Sequence, residues 1–137
     1  MALYRIMGID HGAVRIGIAI SDPMQIIARP YKVIINNDGL LDEITSIIKK
    51  ENIGKIIIGL PLNLAGQDTQ KTKEVRDFAE KLKKDISIPV ILWDERYTTV
   101  EANEALQEMG YNIHESKDVI DKVAASLILR NYLENSE

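Results

Sequence analysis

One glycine-punctuated stretch constrains this chain more than any other: Ile6-Met7-Gly8-Ile9-Asp10-His11-Gly12-Ala13-Val14-Arg15-Ile16-Gly17-Ile18-Ala19-Ile20-Ser21-Asp22. Two strand-length apolar runs, residues 3–9 and 16–20, flank a short polar turn, and glycine permits a tight reversal between them. The pattern predicts a β-hairpin whose first strand ends in a carboxylate, Asp10. An acid at the end of an apolar strand is costly to bury unpaired. Gly8 and Gly12 leave room for a phosphate or a hydrated cation to approach it. A divalent cation would compensate the charge, but Asp is also a favoured turn residue. On this stretch alone both readings stand.

The remaining elements follow from periodicity. Residues 26–35 read as a third strand, with Pro30 placing it at a sheet edge or a strand start. Residues 36–39, Asn-Asn-Asp-Gly, form a turn with N-cap candidates. Leu41, Ile44, Ile47 and Ile48 recur at helical spacing to about Glu51. Asp42 and Glu43 near the start and Lys49 and Lys50 near the end match the helix dipole. Asn52 and Gly54 are expected to stop this helix. Residues 55–59 form a short apolar strand of the kind buried on both faces. A loop over 60–68 leads to a second helix, 69–84, with Val75, Phe78, Ala79 and Leu82 on one face. Residues 88–93 read as another buried strand, ending at Asp94-Glu95-Arg96. Thr98 and Glu101 make a capping-box pattern for a third helix to about Met109. A polar loop follows Gly110. A last helix, 118–133, carries a buried stripe of Val119, Ile120, Val123, Ala124, Leu127 and Ile128.

The order β-β-β-α-β-α-β-α-α, with the later strands joined by right-handed crossovers, predicts one mixed five-stranded sheet with helices on both faces. The fold class is α/β. No linker or repeat interrupts residues 1–137, so a single domain is expected. One Phe and one Trp leave the core to Ile, Leu, Val and Ala. The absence of cysteine rules out disulfides and thiolate metal sites and suits a reducing compartment. No run approaches the roughly 20 apolar residues of a membrane span. The first five residues lack a secretory pattern. The expected location is cytoplasmic. A net charge of −4 argues against a protein that coats nucleic acid by bulk charge. It leaves open an enzyme with acids at a metal site and basic residues on its rim.

In such a sheet, functional groups gather at the carboxyl ends of parallel strands. Asp10 ends the first strand, and Asp94 and Glu95 end the last. Asp118 and Asp121 open the final helix on one face. Acids arriving from distant positions repel unless cations lie between them, and an all-oxygen site suits Mg²⁺ or Mn²⁺. Each acid has a plainer role too. Glu95 can pair with Arg96, Asp118 reads better as an N-cap, and Asp121 fits a first-turn acid as well as a ligand. The loop over 59–66 lies where backbone N–H groups can hold phosphate, although no Gly-Lys-Ser/Thr follows. Arg15, Lys71, Lys73, Arg96 and Lys122 flank the site and can hold a polynucleotide backbone. Solvated surface is an equal reading for each singly, and Arg15 and Arg96 are favoured because they adjoin proposed ligands. His11 beside Asp10 reads as a turn residue or a proton shuttle, and His114 carries no signal.

Taken together, Gly8-Ile9-Asp10-His11-Gly12-Ala13-Val14-Arg15-Ile16-Gly17, Ser21-Asp22, Gly59-Leu60-Pro61, Asp94-Glu95-Arg96-Tyr97-Thr98-Thr99 and Asp121-Lys122-Val123-Ala124-Ala125 resemble the bacterial YqgF family. Its members are also called RuvX, Holliday-junction-resolvase-like proteins or pre-16S rRNA nucleases. The resemblance runs from about Tyr4 to Leu133. It implies a ribonuclease H-like fold and a metal-dependent nuclease that trims the 5′ end of the 16S rRNA precursor. It implies that Asp10, Glu95 and Asp121 are the catalytic and metal-binding acids, and it favours Asp121 over Asp118. Tyr97 and Arg130 depart from the residues usual in the family, away from these acids. On this reading Asp10 bridges two ions, Glu95 and Asp121 each complete one shell, and Arg15 and Arg96 position phosphates. DNA, including four-way junctions, remains an alternative substrate. A non-catalytic nucleic-acid or ribosome-assembly binding protein is the first rival. An actin-like ATPase domain, which also opens with an Asp-x-Gly hairpin but needs two such domains, is the second.

Overall fold

The hairpin forms as its sequence requires. In the computed structural model, which describes residues 3–95 and 117–135, β1 (Arg5–His11) and β2 (Arg15–Ser21) pair antiparallel, with Asp10 opposite Gly17. The turn between them is tight: a Cβ on Gly12 would lie 2.5 Å from the Arg15 carbonyl oxygen. Asp22 fastens the next turn by accepting from the backbone N–H groups of Met24, Ile26 and Ile27. That directs the chain into β3 (Ala28–Ile35), which pairs antiparallel with β2 as the outermost strand. Pro30 sits there beside a register shift, where a missing N–H disturbs the ladder least.

Helix α1 (Leu40–Glu51) starts at Gly39 without a side-chain cap, because Asn37 Oδ1 accepts from the Gly39 N–H instead. Asn52 ends it with φ at 54°, in the left-handed region that Asn tolerates. Gly54 is not part of that stop. It lies inside β4 (Ile53–Leu60), where the Tyr4 ring occupies the space a side chain would need. Helix α2 (Gln70–Asp85) opens with a reciprocal cap between Thr69 and Thr72, and the Thr72 hydroxyl also donates to the Pro61 carbonyl. β5 (Val90–Asp94) pairs parallel with β4. Helix α3 (Lys117–Asn135) completes the described chain. The third helix expected over 98–109, its Thr98 and Glu101 cap, and the loop containing His114 lie outside the described residues.

The sheet order is β3-β2-β1-β4-β5, with β1 parallel to β4. This puts β1 and β4 centrally and explains why Ile56, Ile57 and Ile58 are fully buried. β5 was expected to be buried, yet its residues are half-buried and Asp94 is exposed, because it is the outermost strand on its side. Strand alternation sends Met7 and Ile9 to one core with Ile44, Phe78 and Leu82 of α1 and α2. Ile6, Ala19 and Ile57 face a second core with Ala125, Ile128, Leu129 and Tyr132 of α3. Each fully buried Ile or Leu contributes about 1.5–3 kcal/mol. The buried stripe expected on α3 is found in part, at Val123, Leu127 and Ile128. Ala125, Leu129 and Tyr132 join Ile128 against the strands, while Ala124 is half-buried. Val123, Ser126 and Leu127 are buried as well, so apolar positions surround the helix and periodicity cannot single out one face.

Candidate active site

Asp10 shares its face of β1 with Ile6 and Gly8, the face that α3 covers. Its neighbours across the sheet both lack side chains. Gly17 stands opposite on β2, and Gly59 follows Ile58, the β4 partner of Ile9. These glycines set the site. A Cβ on Gly17 would lie 2.2 Å from the Asp121 carbonyl oxygen, so the first turns of α3 rest directly on β2. A Cβ on Gly59 would lie 2.4 Å from Glu95 Oε2, so the Glu95 side chain lies over the end of β4. The Glu95 N–H also donates to the Leu60 carbonyl, at 3.2 Å. Asp10 of β1, the Glu95 side chain beyond β5 and the Asp121 backbone near the start of α3 are thus set along one row of the sheet. The sequence reading assigned Gly8 a different role, an opening for phosphate or metal. In the fold its space is taken by Ala125 and Leu129 of α3, and Gly12 serves the turn.

The electrostatics follow from this crowding. Burial pushes the Asp10 carboxyl up to about 6, the nearby Lys71 ammonium opposes the rise, and Asp121 adds to it. Burial likewise pushes Glu95 up to about 7, with Asp10 and Asp94 adding repulsion and Lys71 opposing it. Burial is the larger cause in both, and beside it Asp121 raises the cost of charging Asp10, and Asp10 that of charging Glu95. Asp121 is held differently. Its Oδ2 accepts from Arg15 Nε at 2.7 Å, and both side chains are mostly buried. As the side chains stand, no three acids among the described residues are close enough to hold an ion together.

The rim cations separate into distinct groups. Arg15 pairs with Asp121. Lys71, in the first turn of α2, is the ammonium that acts on Asp10, His11 and Glu95 together. Lys73 acts on Asp68 instead, within a surface cluster where Arg76 and Asp68 form a two-pronged ion pair. Lys122 is half-buried, and its backbone nitrogen lies over Gly17. Arg96 lies outside the described residues, as does the Asp118 side chain.

Two expectations change. His11 is the last residue of β1, not a turn residue, and alternation turns it away from Asp10. Its ring packs on Phe78 with centroids 4.7 Å apart, on the α1 and α2 side, so it is not placed to shuttle protons at the acids. The loop over 59–66 consumes its own donors. Asn63 N–H donates to the Gln67 carbonyl, Gly66 N–H to the Asn63 carbonyl, and Gln67 N–H to Asn63 Oδ1. These amides are not free to cradle phosphate. What residue patterns missed was the part played by Gly17 and Gly59. The available signal was a lone glycine inside an apolar strand, which marks close approach by another part of the chain.

Comparison with known proteins agrees with this architecture. The family described as RuvX, Holliday junction resolvase, matches residues 4–135. A protein of Thermoanaerobacter pseudethanolicus named "Putative pre-16S rRNA nuclease" is 45% identical over 136 residues, covering 97% of this chain and 98% of its own. One of the same name from Maridesulfovibrio salexigens is 42% identical over 131 residues, covering 94% and 97%. Among solved structures, Thermus thermophilus RuvC in complex with a Holliday junction substrate superposes with a TM-score of 0.58 at 11% identity, covering 97% of this chain and 96% of that one. Fowlpox virus resolvase in complex with Holliday junction DNA gives 0.58 at 11%, covering 95% and 97%. At such identities the likeness is one of fold, the ribonuclease H-like arrangement of a mixed sheet with helices on both faces.

Proposed function

The chain belongs to the RuvX family, and from that membership and its acids Asp10, Glu95 and Asp121 we propose that it is a divalent-metal-dependent nuclease hydrolysing phosphodiester bonds in structured RNA. The 5′ end of the 16S rRNA precursor is the proposed substrate, by analogy with the names of its full-length relatives. The observation that carries this reading is geometric: Asp10 stands between two positions without side chains, with Glu95 Oε2 over Gly59 and the Asp121 backbone over Gly17. The donor set fits Mg²⁺ or Mn²⁺, because every candidate ligand is a carboxylate oxygen. Asp10, Glu95 and Asp121 would hold the ions. When bound, such ions activate water as a nucleophile and stabilise charge on the departing oxygen.

The protein's own residues do the rest. Asp10 is fixed between two glycine positions, so its carboxylate is offered without side-chain obstruction from β2 or β4. Arg15 neutralises Asp121 and holds it at the helix start. Lys71 supplies positive charge beside Asp10 and Glu95 and is suited to receive a phosphate of the approaching strand. No helix among the described residues is long and apolar enough to cross a membrane. We take the site of action to be the cytoplasm, where the RNA precursor is found.

The test is cleavage of a structured rRNA precursor with Mg²⁺ or Mn²⁺ by the parent and by Asp10→Asn, Glu95→Gln and Asp121→Asn, beside a four-way DNA junction. Each variant should lose on the order of 10³-fold in rate. Equal cleavage by parent and variants would refute the mechanism. RNA binding that ignores both metal and these substitutions, without cleavage, would instead identify a binding protein. Preferential cutting of the junction would move the substrate to DNA.

A further inference from the structure

Across the sheet from the acids, at the same end of β1, lies a cavity of about 530 Å³. Its walls include His11, Phe78, Asn36, Asn37, Glu74 and Asp77. The size falls in the range of small-molecule sites. Three features define what it could take. The tilted His11 and Phe78 rings supply an aromatic wall, the surface on which proteins pack unstacked bases. The two asparagine amides are each anchored by one end. Asn36 Nδ2 donates to the Gly12 carbonyl and Asn37 Oδ1 accepts from Gly39, leaving an oriented carbonyl on one and an oriented NH₂ on the other. Glu74 and Asp77 lie one helical turn apart on α2, on the face that also carries Phe78 and Lys81.

The charge balance excludes a phosphate. Asp38, Glu74 and Asp77 outnumber Lys81 on the lining, so an anion is repelled while N–H donors are welcomed. A base with an exocyclic amino group meets these needs: it has a face for the rings, amino hydrogens for the carboxylates, and edge groups for the amides. The location fits as well. Asp10 and His11 are consecutive and point to opposite faces at one end of the sheet. A strand with a phosphate at Asp10 can therefore turn a neighbouring base around the strand end into the cavity.

We propose that this cavity receives one amino-bearing nucleobase of the bound strand and gives the nuclease a base preference beside its cleavage point. That the base comes from a polynucleotide rests on the nuclease reading.

The test uses the full isotope-labelled chain titrated with GMP, AMP, CMP, UMP and inorganic phosphate, followed through the side-chain amide signals of Asn36 and Asn37. GMP, AMP and CMP should shift them, UMP about 10-fold more weakly, and phosphate not at all. The double variant Glu74→Ala, Asp77→Ala, at two exposed positions, removes both acceptors and should bring the four nucleotides to equal affinity. It should also flatten the cleavage preference between amino-bearing and uracil bases, with an unchanged amide spectrum elsewhere certifying the fold. Equal response to UMP or phosphate, or a preference untouched by the double variant, would overturn the proposal. So would nucleotide binding with no effect of abasic substitution on oligonucleotide affinity. Nucleotide-selective shifts in a protein that cleaves nothing would sink the nuclease reading and leave the base pocket standing. Cleavage without base preference or shifts would do the reverse.

Discussion

Replacing Asp10 by Asn should slow cleavage by on the order of 10³-fold and, in metal-free solution, make the protein more stable. In the fold the Asp10 carboxyl is pushed up to about 6, against an ordinary 3.8. The native state therefore binds a proton more tightly than the unfolded chain does, and stability falls as pH rises through that window. Fully ionised, the buried carboxylate costs the fold about 3 kcal/mol, at about 1.4 kcal/mol per pH unit between the two values. Asn has nearly the same shape and cannot ionise, so it escapes that cost. It also relieves Glu95, whose rise to about 7 is partly due to Asp10. For a chain of this size about 3 kcal/mol corresponds to roughly 10 °C in melting temperature. The assay is thermal denaturation of parent and Asp10→Asn in a chelator, at about pH 8 and about pH 3, on either side of the window. The variant should melt higher at the alkaline value and level with the parent at the acid one. An equal difference at both values, or a variant less stable than the parent at the alkaline one, would refute the argument that Asp10 is a strained charge.

Mg²⁺ or Mn²⁺ at about 100 times its dissociation constant should stabilise the parent by about 2.7 kcal/mol. Because ligands must be deprotonated, calorimetric melting should show a larger gain at alkaline than at acid pH. Gly17→Ala sets a Cβ against the Asp121 backbone, which cannot swing aside, so chemical denaturation should show a loss of about 1–3 kcal/mol. Gly59→Ala meets the ends of the Glu95 and Ile128 side chains, so it should cost less stability than Gly17→Ala. By displacing the Glu95 carboxylate it should weaken divalent-ion affinity about tenfold in titration calorimetry. Arg15→Gln removes a mostly buried partner of Asp121 and should cost about 1 kcal/mol in the chelated protein, measured by denaturant titration.

Periodicity was enough to expose most of the framework. Alternation and glycine spacing marked the β1–β2 hairpin, Pro30 marked an outer strand, and three consecutive isoleucines, 56–58, marked a strand covered on both faces. Those signals are local: they depend on a strand's period of two and a helix's of 3.6, which the chain carries in itself. Asp10 and Glu95 are legible as ends of apolar strands and Asp121 as an acid at the opening of the last helix, and it is the resemblance to a family that proposes them as one site. Packing decided what local pattern could not. Val123, Leu127 and Ile128 of the stripe expected on α3 are buried, but apolar residues surround that helix, and Gly8 and Gly17, by admitting it closely, select which side meets the sheet. His11 stands beside Asp10 in sequence, but pleating sends adjacent residues to opposite faces, and the His11 ring packs on Phe78. The pairing of Arg15 with Asp121 spans 106 positions of sequence. No spacing rule reaches that far; the distance closes only when β2 and α3 are pressed together by the burial of their apolar faces.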